Sequence, residues 1–439
     1  MNYITKFTKY ITASVLGMIG LSCYILADTY FVSVGIGELG LAALNIAIPI
    51  FNLISGVGLM TGVGAASRFS AYRASGDKRA ESIFTNACVF GFLSGILITV
   101  LGIVFSEELC FLLGADEETI SYTNEYLQTL MCTSLFFILN NIFTAFVRND
   151  GNPRLSMAAM LIGSFANIIL DYIFIFPLKL GMFGAAAATA SAPLISMGIL
   201  SLHFITKTNT FRLQKCRIAP SIIFSCLTVG IFSLITELSS GIVMVIFNRS
   251  ILELEGNTGV AAYGIIANIA LVAISIFTGI SQGLQPLASV AAAEKNKKEL
   301  WNGLRLSCIL AVSIAALLLI FAVLFRGPLV SLFNKEDDTK LSELAQRGLI
   351  IYFTGFFAAG INIICASFTA ACAKVRESFF ISIFRGIVFI LPSVLILSRI
   401  AGTDGIWFSF CMAEMLTLCF SVVFVLFFFR KFEKSAKSS

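Results

Sequence analysis

The stretch LSMAAMLIGSFANIILDYIFIFP covers residues 155–177 and contains one charged residue, Asp171. A run of about 20 apolar residues is long enough to cross the hydrocarbon core of a bilayer as a helix. The whole chain is 58% hydrophobic and 13% charged, whereas soluble domains are about 45–50% apolar and about 25% charged. No soluble fold could bury so much apolar surface, so the sequence predicts an all-α integral membrane protein.

Similar apolar runs recur along the chain and predict about twelve transmembrane helices. If the N-terminus is cytoplasmic, 22 of the 30 Lys and Arg residues fall in cytoplasmic segments, as the positive-inside rule requires. We therefore expect a multi-pass protein of the cell membrane with both termini in the cytoplasm. The net charge of +5 then reflects topology and contact with anionic lipid, not a nucleic-acid partner. The predicted spans are 10–33, 43–67, 84–106, 122–146, 155–177, 183–205, 222–247, 258–281, 302–325, 346–370, 377–398 and 405–429.

The two halves of the chain resemble each other. A shift of 219 residues lays GLAALNIAIP, from Gly40, over GVAAYGIIAN, from Gly259. Six spans is an even number, so both halves enter the membrane from the same side, as in the parallel repeats of secondary transporters. The sequence predicts two parallel six-helix lobes, residues 1–206 and 221–439, joined by a cytoplasmic linker, residues 207–220. A channel built by duplication remains an alternative.

Four acidic residues, Asp28, Asp171, Glu237 and Glu414, lie inside predicted spans and away from the first and last turns of those spans. A charged side chain at the bilayer centre costs at least about 2.5–3.5 kcal/mol, so such residues face a cavity, pair with another charge or serve function. Asp28 lies near the outer end of the first span, where hydration at the membrane surface is an alternative. Glu237 is a candidate for a substrate or coupling role in the second lobe, and Glu414 has Arg385 as a possible structural partner.

Asp171 is the strongest of these candidates. Asn167 precedes it by one helical turn, so a carboxylate and an amide oxygen share one helix face. Such oxygen atoms are the ligands that hard cations prefer. Thr189 adds a hydroxyl group from the next span, although threonine often bonds its own helix backbone instead. The single histidine of the chain argues against a metal cofactor or intramembrane catalysis, so we expect neither a cofactor nor an enzyme.

Several motifs resemble the multidrug and toxic compound extrusion (MATE) family of antiporters. They include ADTYFVSVGIGELGLAALNIAIPI in the first two spans, FVRNDGNPRLSMAAMLIGSFANIILDYIFIF, LGMFGAAAAT and GISQGLQP. The resemblance implies a V-shaped pair of lobes that exports organic cations or drugs in exchange for Na⁺ or H⁺. It also implies a cation or proton site in the first lobe, with Asn141 as a further candidate and with Glu237 serving the second lobe. The site residues implied are Asp28, Asn167, Asp171 and Thr189.

Some features depart from the family pattern. The first span lacks proline, the tenth lacks a carboxylate, and LASVAAAEKNKK follows GLQP. These departures favour an ion site in the first lobe over one in the second. A flippase for a lipid-linked sugar is an alternative, but its anionic substrate would require basic residues, and Arg385 is the only one deep in a predicted span. We expect a monomer, with small organic cations, a coupling ion and membrane lipid as its partners.

Overall fold

The computed structural model describes residues 2–215, 218–331 and 338–437; Cys216 and Arg217 of the predicted linker lie outside these ranges. The described residues form α-helices and one π-helical turn, with no β-strand among them. The helices are α1 (Tyr3–Gly35), α2 (Glu38–Ala74), α3 (Ala80–Leu112), α4 (Ile120–Cys132), α5 (Ser134–Asn149), α6 (Pro153–Ile175), α7 (Gly181–Leu200), α8 (Leu202–Ile205), α9 (Pro220–Ala293), α10 (Lys297–Ser331), α11 (Thr339–Thr354), α12 (Phe356–Ala371), α13 (Val375–Ile383), the π-turn (Phe384–Val388) and α14 (Ile390–Lys437).

The helix lengths agree with the predicted spans. Eight helical segments are long and apolar enough to cross a membrane, and two bent pairs raise this number to ten. The 74 residues of α9 would extend about 111 Å at 1.5 Å per residue, far beyond a hydrocarbon core of about 30 Å. This helix breaks at Gly256, where φ is +67°, and α14 breaks likewise at Gly402. The helix α9 is therefore two spans, and α13, the π-turn and α14 together form two more, which confirms the prediction of about twelve.

The fourth and tenth spans are bent, whereas the sequence suggested one continuous helix for each. The pair α4 and α5 bends by 48°, and the pair α11 and α12 by 46°. At the first bend the hydroxyl of Thr133 donates to the carbonyl oxygens of Thr129 and Leu130, a side-chain bond that bends helices. Gly355 lies at the second bend, and glycine is the weakest helix former after proline.

The backbone repeats at the offset found in the sequence. Gly37 and Gly256, which are 219 residues apart, both have a positive φ, +96° and +67°. Gly76 and Lys295, at the same offset, have φ values of +71° and +56°. In each half these left-handed residues lie in the turns before the second and third spans. The two halves therefore share their turns as well as their hydrophobic pattern.

The chain divides into two compact units, Met1–Leu238 and Ser239–Ser439. The first unit includes α1 to α8 and the beginning of α9. The second includes the rest of α9 and the helices that follow it. The lobe and linker boundaries that were inferred from charge and spacing stay predictions, because compactness measures packing and not the end of a repeat.

Glycine lets α9 approach α2 closely inside the first unit. A Cβ atom at Gly230 would lie 1.9 Å from the carbonyl oxygen of Met60, and one at Gly64 would lie 2.1 Å from that of Cys226. Helices in membranes depend on such small-residue contacts, because lipid supplies no hydrophobic force between them. The beginning of α9 therefore packs backbone to backbone against α2.

Replacing Gly230 by alanine should destabilise the first unit, because the added methyl group meets backbone that cannot turn aside. Overpacking typically costs about 1–3 kcal/mol. We expect a lower temperature at which half of the detergent-solubilised protein is lost from the monodisperse chromatographic peak.

The matched control is Gly198→Ala on α7, where an added Cβ atom meets nothing within 4 Å. This variant should keep or slightly raise thermal stability, because alanine favours the helix. Equal stability of the Gly230→Ala and wild-type proteins would contradict the tight approach of α2 and α9.

Candidate ion site of the N-terminal unit

Close packing of α1 against α6 buries Asp28. A Cβ atom at Gly20 would lie 2.5 Å from the side chain of Leu161, and one at Gly35 would lie 2.3 Å from that of Ile175. The two helices therefore run side by side with little between them, and Asp28 is only 6% exposed. The alternative of a hydrated residue at the membrane surface is not supported, since protein atoms cover this carboxylate.

Asn167 and Asp171 are fully buried on α6. Their spacing of one turn puts both side chains on the same helix face. Thr189, on α7, is also buried. The two helices approach closely, since a Cβ atom at Gly163 would lie 3.0 Å from the carbonyl oxygen of Ala192.

Two tyrosines that the sequence pattern did not reveal lie beside the acidic residues. Tyr24, on α1, and Tyr126, on α4, are both buried and lie within electrostatic range of Asp28 and Asp171. The Tyr126 hydroxyl also interacts with Thr189, although this contact lacks the geometry of a regular hydrogen bond. Tyr24 could have been found from its position one turn before Asp28. Tyr126 carries no such sequence signal, because only tertiary packing brings α4 to this site.

Most polar atoms of this group have no hydrogen-bond partner within the described parts of the chain. Buried polar groups in proteins are nearly always paired, so a cluster of orphans calls for an explanation such as a ligand or function. The unpaired atoms are Asp28 Oδ1, Asn167 Oδ1 and Nδ2, Asp171 Oδ1 and Oδ2, and Thr189 Oγ1.

The charges of Asp28 and Asp171 also lack a partner among the described residues. Asp28 and Asp171 repel each other, and neither forms an ion pair with any Lys, Arg or His of the described residues. Two buried like charges that lie close together cannot both ionise without compensation. Carboxylate, amide and hydroxyl oxygens are suited to hold protons or a hard cation. The four predicted residues thus fit either coupling ion.

The second unit has aromatic residues where the first has this polar site. The repeat pairs Asp28 with Phe247 at the offset of 219. It pairs Thr189 with Phe410 at an offset of 221 residues. The same offset separates Gly181 and Gly402, the left-handed glycines that precede the sixth and twelfth spans. Phe247 and Phe410 both contact Tyr352, with ring centroids 6.2 Å and 4.2 Å apart, respectively. At these two positions, aromatic rings in the second half replace polar residues of the first half.

Asn141 lies at the crossing of α5 and α2, not in a described contact with the acidic pair. Its amide nitrogen donates to the carbonyl oxygen of Phe137 at 3.2 Å. A Cβ atom at Gly58 would lie 2.8 Å from that nitrogen and 3.1 Å from the Asn141 Cβ atom. These contacts give Asn141 a packing position, and its coupling role stays a prediction.

Glu237 lies in the beginning of α9, beside α2. Its Cβ atom would be 3.3 Å from a Cβ atom at Gly56, and its side chain is partly buried. This position is inside the first compact unit, whereas the sequence had suggested a role in the second lobe. The function of Glu237 also stays a prediction.

Glu414 pairs with Arg385, as the structural alternative predicted. Arg385 Nη2 donates to Glu414 Oε1 at 2.8 Å, and Asn362 Nδ2 donates to Oε2 at 2.7 Å. The Ser421 hydroxyl then donates to Asn362 Oδ1 at 2.8 Å. Arg385 lies on the π-turn, whose wider winding displaces it from the regular helical register. The carboxylate is thus fully compensated, in contrast to Asp28 and Asp171.

Removing only Arg385 should destabilise the second unit. An Arg385→Met variant leaves Glu414 buried beside Asn362 alone, and breaking a buried pair from one side typically costs about 3–5 kcal/mol. The thermal midpoint measured by the chromatographic assay should fall markedly.

The double variant Arg385→Met, Glu414→Leu serves as the control, because it removes both charges together. We expect it to recover most of the lost stability, since replacing both members of a buried pair is often neutral or stabilising. Equal losses in the single and double variants would contradict the explanation that the uncompensated charge of Glu414 causes the loss.

The fold and the site define a class of protein. Twelve helical spans in two repeated halves, with carboxylates buried in one of them, are features of a membrane transporter. The MatE family model matches residues 13–173 and 230–395, one segment in each half. The chain therefore belongs to the MatE family of membrane transporters, and the family resemblance seen in its motifs is confirmed.

Known relatives agree with this assignment. The chain is 26% identical over 403 residues to the multidrug export protein MepA of Staphylococcus saprophyticus, covering 90% of this chain and 87% of that protein. It is 26% identical over 411 residues to MepA of Staphylococcus haemolyticus, covering 93% and 89%, respectively.

Solved structures share the fold. One is an outward-facing multidrug resistance MATE transporter, with a TM-score of 0.93, 22% identity, and coverage of 99% of this chain and 97% of that one. Another is a MOP superfamily transporter from Pyrococcus furiosus, with a TM-score of 0.92, 22% identity and the same coverage. The reversed polarity of its binding pocket suggests a different function for that protein.

Proposed function

We propose that this protein exports organic cations or drugs from the cell in exchange for Na⁺ or H⁺. The observation that carries the proposal is the pair of buried carboxylates, Asp28 and Asp171, with no basic partner among the described residues. The relatives described as multidrug export proteins support the drug-export part. The coupling part rests on the four-residue site alone.

The site residues would act by binding and then releasing the proton or cation that neutralises them. A bound proton or cation would supply the positive charge that two buried carboxylates require. Asp171 and Asn167 would hold their oxygens toward α1 from one helix face, and Thr189 would add a hydroxyl oxygen. Repulsion between Asp28 and Asp171 would drive α1 and α6 apart when that charge leaves. Helix packing in the N-terminal unit would thereby depend on occupancy of the site, as alternating access requires.

The proposal extends to the setting of the protein. We infer that the protein is a monomer in the cell membrane. We also infer that both termini lie in the cytoplasm, because the loops then follow the positive-inside rule. Membrane lipid is its solvent, and anionic headgroups would contact the basic cytoplasmic loops. A flippase for a polyanionic lipid-linked sugar is less well supported, because Arg385, the one basic residue deep in a predicted span, is already paired with Glu414.

Replacing Asp171 by asparagine should abolish coupled efflux, because the site loses one of the charges that bind the driving ion. The measurement is quenching of a fluorescent organic cation in proteoliposomes under an imposed proton gradient and, separately, an imposed Na⁺ gradient. The control is Asp116→Asn, an exposed carboxylate in the loop before α4. Full efflux by folded Asp171→Asn protein would refute the site, and uncoupled flux at channel rates would refute the antiport.

Replacing Thr189 by valine should separate the two candidate ions. Valine preserves the shape of the side chain but removes an oxygen ligand, which a bound Na⁺ requires and a carboxylate proton does not. If Na⁺ drives transport, we expect the Na⁺ concentration for half-maximal efflux to rise about tenfold, the factor that corresponds to about 1.4 kcal/mol. If protons drive it, proton-driven efflux should be unchanged.

A further inference from the structure

The segment between α8 and α9 has no regular secondary structure, but its contacts hold it against the N-terminal unit. We call residues 206–215 the strap. Its anchor is Phe211, which is 3% exposed. The ring contacts four phenylalanines of the unit at centroid distances of 4.6–5.9 Å: Phe69, Phe84, Phe146 and Phe204. The inward side of the strap therefore packs as part of a hydrophobic core.

Hydrogen bonds fix the strap on both sides of this anchor. Thr210 donates its backbone N–H to the carboxylate of Asp150 at 2.7 Å, and its hydroxyl group donates to the same carboxylate. Arg73 Nη1 also donates to Asp150, at 2.6 Å, so the charge of this buried carboxylate is compensated. On the other side of the anchor, Gln214 donates its backbone N–H to the Thr85 hydroxyl at 3.0 Å. The path of the strap is therefore set by α2, by α3 and by the turn between α5 and α6.

The outward side of the strap is basic. Lys207, Arg212 and Lys215 are exposed, and none of them forms an ion pair with an acidic side chain in the part of the chain that the structure describes. Residues 172–236 contain no Asp or Glu, so no acidic side chain on the strap or beside it in the sequence offsets this charge. Asp150 is buried and paired with Arg73, so it offsets little of the charge at the surface.

Apolar side chains are exposed beside these charges. Leu213 is 65% exposed, and Ile205, at the end of α8, is 70% exposed. The strap also lies between two candidate membrane spans, Gly181–Ile205 and Pro220–Ala293, so each of its ends is within a few residues of the membrane surface. Basic side chains with apolar neighbours at this depth are features of segments that bind anionic lipid.

We propose that the outward side of the strap is a docking site for the headgroup of an anionic phospholipid, with Lys207, Arg212 and Lys215 as its phosphate-binding residues. Leu213 would contact the acyl region of the same lipid. A segment already held in one conformation loses less entropy on binding than a mobile basic loop does, so the packing of Phe211 is part of the site.

This assignment selects one built site among the basic loops of the protein. It rests on the location of the chain in a membrane and not on the ion or the drug that is exchanged. The leaflet that supplies the lipid follows from the proposed orientation of the termini. Binding measured in detergent depends on neither orientation nor transport, so the lipid site and the proposed export can fail separately.

Lipid titration of the detergent-solubilised full-length protein tests the site. Microscale thermophoresis measures the dissociation constants of a short-chain phosphatidylglycerol, of a phosphatidylcholine with the same acyl chains, and of inorganic phosphate. We expect phosphatidylglycerol to bind about tenfold more tightly than phosphatidylcholine, and we expect high salt to reduce this preference, because salt screens exposed charges. Equal affinities for the two lipids would overturn the proposal, and so would inorganic phosphate that binds as tightly as phosphatidylglycerol.

Variants that remove charge locate the site on the strap. The double variant Arg212→Gln, Lys215→Gln should bind phosphatidylglycerol about tenfold more weakly, the factor that corresponds to about 1.4 kcal/mol, and its affinity for phosphatidylcholine should not change. The matched control is Lys179→Gln, Arg326→Gln, which removes the same charge from two exposed positions outside the strap and should bind both lipids as the wild type does. Equal affinities of the strap variant and the control for phosphatidylglycerol would overturn the assignment.

Loss of the anchor distinguishes a built site from net charge alone. Phe211→Ala keeps every basic residue but removes the ring that holds the strap, so phosphatidylglycerol should bind severalfold more weakly. Trypsin should also cleave this variant faster after Arg212 and Lys215. Thr210→Val, which removes the hydroxyl bond to Asp150, tests the same anchor with a smaller change of packing. Wild-type affinity for phosphatidylglycerol in the folded variants would overturn the proposal of a preformed site.

Discussion

Inside a bilayer, a polar group that finds no partner in the protein finds none in the surrounding lipid. This constraint makes the backbone helical throughout the described spans, and it confines the left-handed residues to turns such as those at Gly37 and Gly256. Helices held in this way can approach closely only where side chains are small. Gly64 and Gly230 therefore decide how α2 meets the beginning of α9.

The same constraint distinguishes a buried charge that has a partner from buried charges that have none among the described residues. Glu414 is buried, but Arg385 and Asn362 satisfy it, so its presence is explained by the fold. Asp28 and Asp171 are buried, and neither has a basic partner in the part of the chain that the structure describes. A protein that merely needed stability could replace both with apolar residues. Retaining two repelling carboxylates makes sense where their neutralisation is exchanged during a transport cycle.

Duplication produced two halves with matching turns and different interiors. The position of Asp28 corresponds to Phe247, and that of Thr189 corresponds to Phe410. In the second half these rings pack with Tyr352, where the first half keeps polar atoms. The repeat thus fixes the architecture twice, but the polar residues Asp28 and Thr189 of the proposed ion site occur in the first half only. A fold shared with other transporters consequently identifies the family without identifying the substrate.

The sequence alone determined the membrane class, the twelve spans, the repeat and the acidic candidates, because hydrophobic length and rare intramembrane charges are local signals. It also suggested the pairing of Glu414 with Arg385. Only the tertiary structure decided that Tyr126 reaches the acidic pair, that Asn141 packs at a helix crossing and that two spans bend. Only the tertiary structure also shows that Phe211 and Thr210 contact the N-terminal unit. These features depend on which helices meet and at what angle, and spacing along one chain does not encode contacts between distant segments.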